Sequence, residues 1–246
     1  MTLYDRTVRV VLIHGSVGNA SVWSSTRRVL EPEYEVVAPT RGGYPPAPLL
    51  ERIDFEQQAE ELAPELGDGA HLVGHSYGGV IALLIAAAHP ERVRSLAVSE
   101  PPAFGVARGN PVVDDLVARL DDHFRHGPRE PRQFAEGFLA LVGSELRLPD
   151  PLPPDLEQGI RATMGERGPW EAVIPLDELA AAPFPKLVVS GAHDPAFEAV
   201  CDVLEERLGA ERAVLPGAEH SLMRAPGYPE RIAAFLDDSV HPEQST

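Results

Sequence analysis

Residues Gly74-His75-Ser76-Tyr77-Gly78 place a serine between two glycines in the pattern G-x-S-x-G. The pentapeptide follows the apolar pair Leu72 and Val73 and opens an apolar stretch that includes residues 80–88. A serine on a tight strand-to-helix turn is held in a strained conformation, its hydroxyl raised above the sheet edge. Glycine is needed on both sides, because a Cβ there would meet neighbouring backbone. The helix N-terminus beneath the serine aims unpaired N–H groups at any negative charge that develops. Such a serine is suited to attack an acyl carbonyl. The competing explanation is a plain glycine-rich turn.

A serine hydroxyl is a weak nucleophile until a base takes its proton. Among nine histidines, His220 in Gly217-Ala-Glu-His220-Ser-Leu-Met223 is the best placed. It follows the last apolar run and precedes the last helical pattern, at the carboxyl edge of the sheet where open α/β folds bind ligands. A histidine base needs a carboxylate to fix its tautomer and stabilise its cation. Asp194, in Ser190-Gly-Ala-His-Asp194-Pro195, lies just past another strand and is the acid expected here. Its structural alternative is a helix N-cap ahead of Pro195. Glu100 ends the strand before the long insertion and is the rival acid, read as a structural or substrate-contacting carboxylate.

These residues need a scaffold. Unalternated apolar runs at 8–13, 36–38, 70–73 and 93–98 read as strands buried on both faces. Helical patterns at 22–30, 55–66 and 77–88 separate them. This alternation predicts a doubly wound, mostly parallel α/β sheet. It stops at residues 101–184, where amphipathic helical stretches recur: Val113 to Phe124, Phe134 to Leu141, Ile160 with Met164, and Val173 to Leu179. The proline-rich stretch 149–154 cannot be regular structure. The sheet resumes at 186–190 and 212–215, with helices at 197–208 and 229–236 and a frayed tail at 241–246. The expected organisation is a core of 1–100 and 185–246, with 101–184 inserted as a helical layer.

The strand–Gly-His-Ser-Tyr-Gly–helix turn, followed in order by Asp194 and His220, resembles the α/β-hydrolase superfamily. His14-Gly15-Ser16 is similar to that family's H-G motif, and Trp23 sits where many members carry an aromatic residue. The resemblance implies Ser76 as nucleophile, His220 as base and Asp194 as acid, and a helical cap at 101–184. It also implies an oxyanion hole from the backbone N–H groups of Tyr77 and Ser16, with the Ser16 hydroxyl as a further candidate contact and His14 structural. One departure is Thr40, in Ala38-Pro-Thr40-Arg41-Gly42, where many members carry an aspartate. Dehalogenases and epoxide hydrolases of this fold use aspartate at the elbow, so a serine there points to acyl transfer.

Composition narrows the rest. A net charge of −17 argues against nucleic-acid partners and anionic membrane surfaces. The single cysteine, Cys201, excludes a disulfide scaffold and a four-cysteine zinc site, and it reads as packed within a helix. Neither an H-E-x-x-H metal motif nor a phosphate-binding G-x-x-x-x-G-K-[ST] loop is present, so no metal or cofactor is implied. The N-terminal residues lack the apolar core of a signal peptide, which gives a cytoplasmic expectation. Trp23, Phe104, Phe138, Trp170, Leu222 and Met223 are the candidates to line an apolar substrate pocket. The expected activity is hydrolysis of an ester, lactone or thioester of an uncharged, moderately apolar small molecule. The alternatives are a non-hydrolytic enzyme on the same site (acyl-transfer cyclase, C–C lyase or perhydrolase) and a small-molecule receptor.

Overall fold

The computed structural model describes residues 8–240. Its six strands are β1 (Arg9–Ile13), β2 (Glu35–Val37), β3 (Ala70–His75), β4 (Val93–Ser99), β5 (Lys186–Ser190) and β6 (Glu211–Val214). They form one sheet in the order β2-β1-β3-β4-β5-β6, and every pairing is parallel. The central strand β3 is buried at all six positions, which is why its sequence shows no polar alternation. The edge strands β2 and β6 are short and partly exposed.

Two apolar cores sandwich the sheet, because successive side chains of a strand point to opposite faces. Val11 and Ile13 of β1 pack on one face with Phe55 and Leu62 of α2 (Phe55–Leu62) and with α3 (Tyr77–Ala88). Val10 and Leu12 pack on the other with Leu30 of α1 (Ser24–Leu30) and Phe235 of α9 (Tyr228–Val240). Helix α3 is apolar nearly all round and is buried accordingly.

The segment between β4 and β5 contains no named strand. It holds α4 (Pro111–His126), α5 (Pro131–Leu141), α6 (Pro154–Met164) and α7 (Leu176–Ala181), and α8 (Pro195–Leu208) follows β5. Leu116 and Leu120 of α4 and Leu179 of α7 join the same core as α3, so these helices pack directly on the main body. Phe134 and Ile160 form a smaller cluster with Val17 of the loop after β1. Glu166, just past α6, makes a parallel bridge to Ile53. The stretch before α6 is irregular, as its prolines require. The expected helical stretch from Val173 begins later. Val173 is 81% exposed and α7 starts at Leu176. The tail expected at 241–246 lies outside the described residues.

Candidate active site

The carboxyl ends of β1, β3, β4 and β5, with the loop after β6, converge on one point. Ser76 follows β3 with φ 52° and ψ −127°, a conformation that side chains rarely adopt. Its flanking glycines are obligatory in space. A Cβ on Gly74 would lie 2.4 Å from the Gly78 carbonyl oxygen, and one on Gly78 would lie 2.3 Å from that of Ile13. The Ser76 hydroxyl donates to His220 Nε2 at 2.9 Å, and His220 Nδ1–H donates to a Glu100 carboxylate oxygen at 2.9 Å. Ser76 and His220 are buried, and Glu100 is fully so.

The acid on His220 is therefore Glu100 and not Asp194. Strand β4 lies beside β3, with His75 opposite Ser99, so the residue after β4 arrives next to the residue after β3. Ser76 N–H donates to Ser99 O at 2.9 Å, which locks the two ends together. Asp194 follows β5, one strand further out. Its carboxylate caps α8, accepting from the N–H groups of Ala196 and Phe197 at 2.8 and 3.3 Å. An N-cap ahead of a proline at the first helical position is what the local sequence favours.

The other Glu100 oxygen accepts from Gly191 N–H at 2.7 Å and from His193 Nδ1 at 3.1 Å. Sequence reasoning missed His193. No local pattern marks it, and only the path of the chain past β5 turns the imidazole inward. Burial pushes the Glu100 carboxyl up, but the hydrogen bonds from His193 and His220 outweigh it and hold it at about 2. The donor atoms of Glu100, His193 and His220 lie within 4.8 Å of one another, a spacing compatible with a metal ion. The hydrogen bonds among them already account for that spacing. His75 donates from Nε2 to the His220 carbonyl at 2.7 Å, and burial lowers it to about 3, so it is neutral.

The loop after β1 closes the opposite side. A Cβ on Gly15 would lie 2.9 Å from Ser76 Cβ, which sets how closely the backbone of Gly15 and Ser16 approaches Ser76. His14 is structural in geometry: Nδ1 lies 2.8 Å from Gly15 O, and Nε2 accepts from Arg41 N–H at 3.0 Å. The Ser16 hydroxyl donates to Glu166 at 2.5 Å and is thereby engaged away from Ser76. Glu166 also accepts from Arg41 at 2.7 Å and Tyr44 at 2.6 Å, and both side chains of the Arg41–Glu166 pair are buried. Arg41 lies 4.4 Å above the Tyr44 ring and 4.7 Å from the Tyr77 ring. Thr40, the departure from the family pattern, thus precedes an arginine that organises this loop. The pairing of Arg41 and Tyr44 with Glu166 left no mark in the sequence, because it spans over 100 residues.

Two spaces meet at Ser76. One is an open cleft whose walls include Gly15, Phe138, His220 and Met223. The other is a narrow cavity whose walls include Tyr77, Phe104, Phe138 and Trp170. Four of the six candidate pocket residues therefore border the site. Trp23 and Leu222 do not. Both are fully buried in the core on the α1/α9 face of the sheet, where the Trp23 ring lies 6.3 Å from that of Tyr228.

A serine on a strained strand-to-helix elbow of a parallel α/β sheet, with histidine and carboxylate delivered from later strands, defines a hydrolase of the α/β class. The chain belongs to the alpha/beta hydrolase family, whose model matches residues 10–235. It is 30% identical over 232 residues to a pimeloyl-[acyl-carrier protein] methyl ester esterase of Aeromonas hydrophila, covering 86% of this chain and 88% of that one. It is 29% identical over 255 residues to the lipase LipV of Mycobacterium tuberculosis, covering 95% and 94%. Among solved structures, a bacterial membrane phospholipase A superposes with a TM-score of 0.70 at 26% identity, covering 96% of this chain and 81% of that one. No helix among the described residues is long and apolar enough to cross a membrane.

Proposed function

We propose that this enzyme is a serine hydrolase that cleaves an ester, lactone or thioester of an uncharged, moderately apolar small molecule through an acyl-enzyme. The observation that carries this reading is the chain Ser76–His220–Glu100, with both links at 2.9 Å. Ser76 Oγ attacks the carbonyl carbon while His220 Nε2 takes its proton. The oxyanion is held by the backbone N–H groups of Tyr77, at the start of α3, and Ser16. Each such donor is worth ~10²–10³ in rate. The carbon–heteroatom bond then breaks, and His220 returns the proton to the leaving group. Water, deprotonated by His220, hydrolyses the acyl-enzyme to the acid and free Ser76. Glu100 stays ionised throughout and stabilises the His220 cation. The helical segment 101–184 serves as a cap, since α5 and the residues around Trp170 wall the site.

A fluorophosphonate probe tests the assignment. Mass spectrometry should find the label on Ser76, and labelling should vanish in Ser76→Ala and His220→Ala. A folded protein that stays unlabelled overturns it.

A further inference from the structure

The two spaces at Ser76 differ in size by more than an order of magnitude. The open cleft has a volume of about 390 Å³, and the narrow cavity about 20 Å³. A space of ~10–15 Å³ holds one water-sized group, so the narrow cavity suits a group of about methyl or ethyl size. Its walls include Pro102, Phe104, Phe124, Phe138, Trp170 and Phe197. These rings brace one another. Phe104 lies 5.2 Å from Phe197, and Phe124 lies 5.6 Å from Trp170 and 5.8 Å from Phe138, all edge-to-face. A wall of interlocked aromatics resists expansion, because overpacking forces side chains off their rotamers.

The side of the bond that each space receives follows from His220. The leaving group must lie within reach of the imidazole that protonates it. His220 borders the open cleft and not the narrow cavity. The Phe197 ring, 4.6 Å from that of His220, borders the narrow cavity. Ser76 and Ser16 line both spaces, whereas Tyr77, the other proposed oxyanion donor, lines the narrow cavity and not the cleft. The cleft carries Asn19, Ser21, Ser144, Asp155, Ser221 and Arg224, which suit a hydrogen-bonding leaving group.

The geometry points to a short-acyl esterase, whose substrate is an acetyl or propionyl ester of a bulky alcohol bearing hydrogen-bonding groups. The acyl chain enters the aromatic cavity and the alcohol lies in the cleft. This rests on the reading of Ser76 as the acylated nucleophile. It is opposite in polarity to a long-chain acid esterified with a small alcohol.

The test is a series of p-nitrophenyl esters from acetate to octanoate, beside the methyl ester of octanoic acid, with Ser76 labelling run in parallel. A misfit of one methylene in an apolar pocket is worth ~10–200-fold. The kcat/KM for acetate should therefore exceed that for butyrate at least about tenfold and that for octanoate at least about a hundredfold, with methyl octanoate the poorest. Trp170→Ala and Phe104→Leu, checked for folding, should raise the butyrate-to-acetate ratio at least about tenfold. Labelled Ser76 with octanoate or methyl octanoate preferred overturns the acyl-size assignment and leaves the serine mechanism standing. An unlabelled Ser76 with no ester cleaved overturns both.

Discussion

His193 lies between the Glu100 carboxylate and the Val142 carbonyl, with Nδ1 and Nε2 each 3.1 Å from an oxygen that can only accept. Two acceptors facing the two ring nitrogens favour the protonated form of His193. Burial lowers its pKa, but the carboxylate outweighs this and the net shift is upward. The acid on His220 thus serves two imidazoles at once. One belongs to the serine and the other bridges to the segment after α5.

Exchange of the two acids separates their roles. Glu100→Gln keeps the shape but removes the charge that stabilises the His220 cation, and it should lower kcat by about 10³–10⁴-fold. Asp194→Asn should leave kcat within a few-fold, because asparagine caps a helix about as well as aspartate. Asp194→Ala should cost about 1 kcal/mol of stability through the lost cap. Steady-state kinetics and urea denaturation of the three variants check this. Loss of turnover in Asp194→Asn with Glu100→Gln active would return the acid to Asp194.

The Arg41–Glu166 pair should behave as a buried ion pair whose partners depend on each other. Their side chains are 0% and 1% exposed. Arg41→Met strands the glutamate, and Glu166→Gln strands the guanidinium. Each should destabilise by about 3–5 kcal/mol, and the double variant should lose less than the two losses combined. Chemical denaturation of the double-mutant cycle reads the coupling. Strict additivity would show that the two charges do not depend on each other.

Acid should weaken the fold well before the carboxylates titrate. Burial lowers His14, His71 to about 4 and His75 to about 3, so the folded chain keeps them neutral. Unfolded histidine titrates near ~6.5. Below that pH the unfolded chain binds up to three more protons, and stability falls by as much as about 4 kcal/mol per pH unit until the folded values are reached. His193 runs the other way: its contribution is full below ~6.5 and is lost as pH rises through its raised pKa. Glu100 contributes fully above its ordinary 4.5 and fades toward about 2. Below ~6.5 the His193 contribution no longer changes, so the three neutral histidines give a net loss from pH 6.5 to 4. A thermal midpoint that stays flat from pH 7 to 5 would contradict this.

The parts that were readable in sequence are those that depend on neighbours along the chain. Strand β3, the turn at Ser76 and helix α3 follow from an apolar run, two glycines and a second apolar run, all within residues 70–88. The N-cap geometry of Asp194 was equally local, and Pro195 beside it was the signal. His220 was legible because only one histidine follows the last strand by a short loop. Strand order was not legible, and it decided the acid. Two carboxylates each end a strand, at Glu100 and near Asp194, and the pattern of either strand is the same.

By itself the sequence determined the α/β alternation, the elbow and the histidine that meets it, because backbone sterics and apolar periodicity act over a few residues. Tertiary structure alone decided that β4 lies against β3, bringing Glu100 rather than Asp194 to His220. It also decided that Glu166 reaches Arg41 across 125 positions, that His193 turns onto the acid, and that Trp23 packs in the core while Trp170 walls the site. These contacts depend on strand pairing and helix docking, where the partners lie far apart in the chain and no local pattern records them.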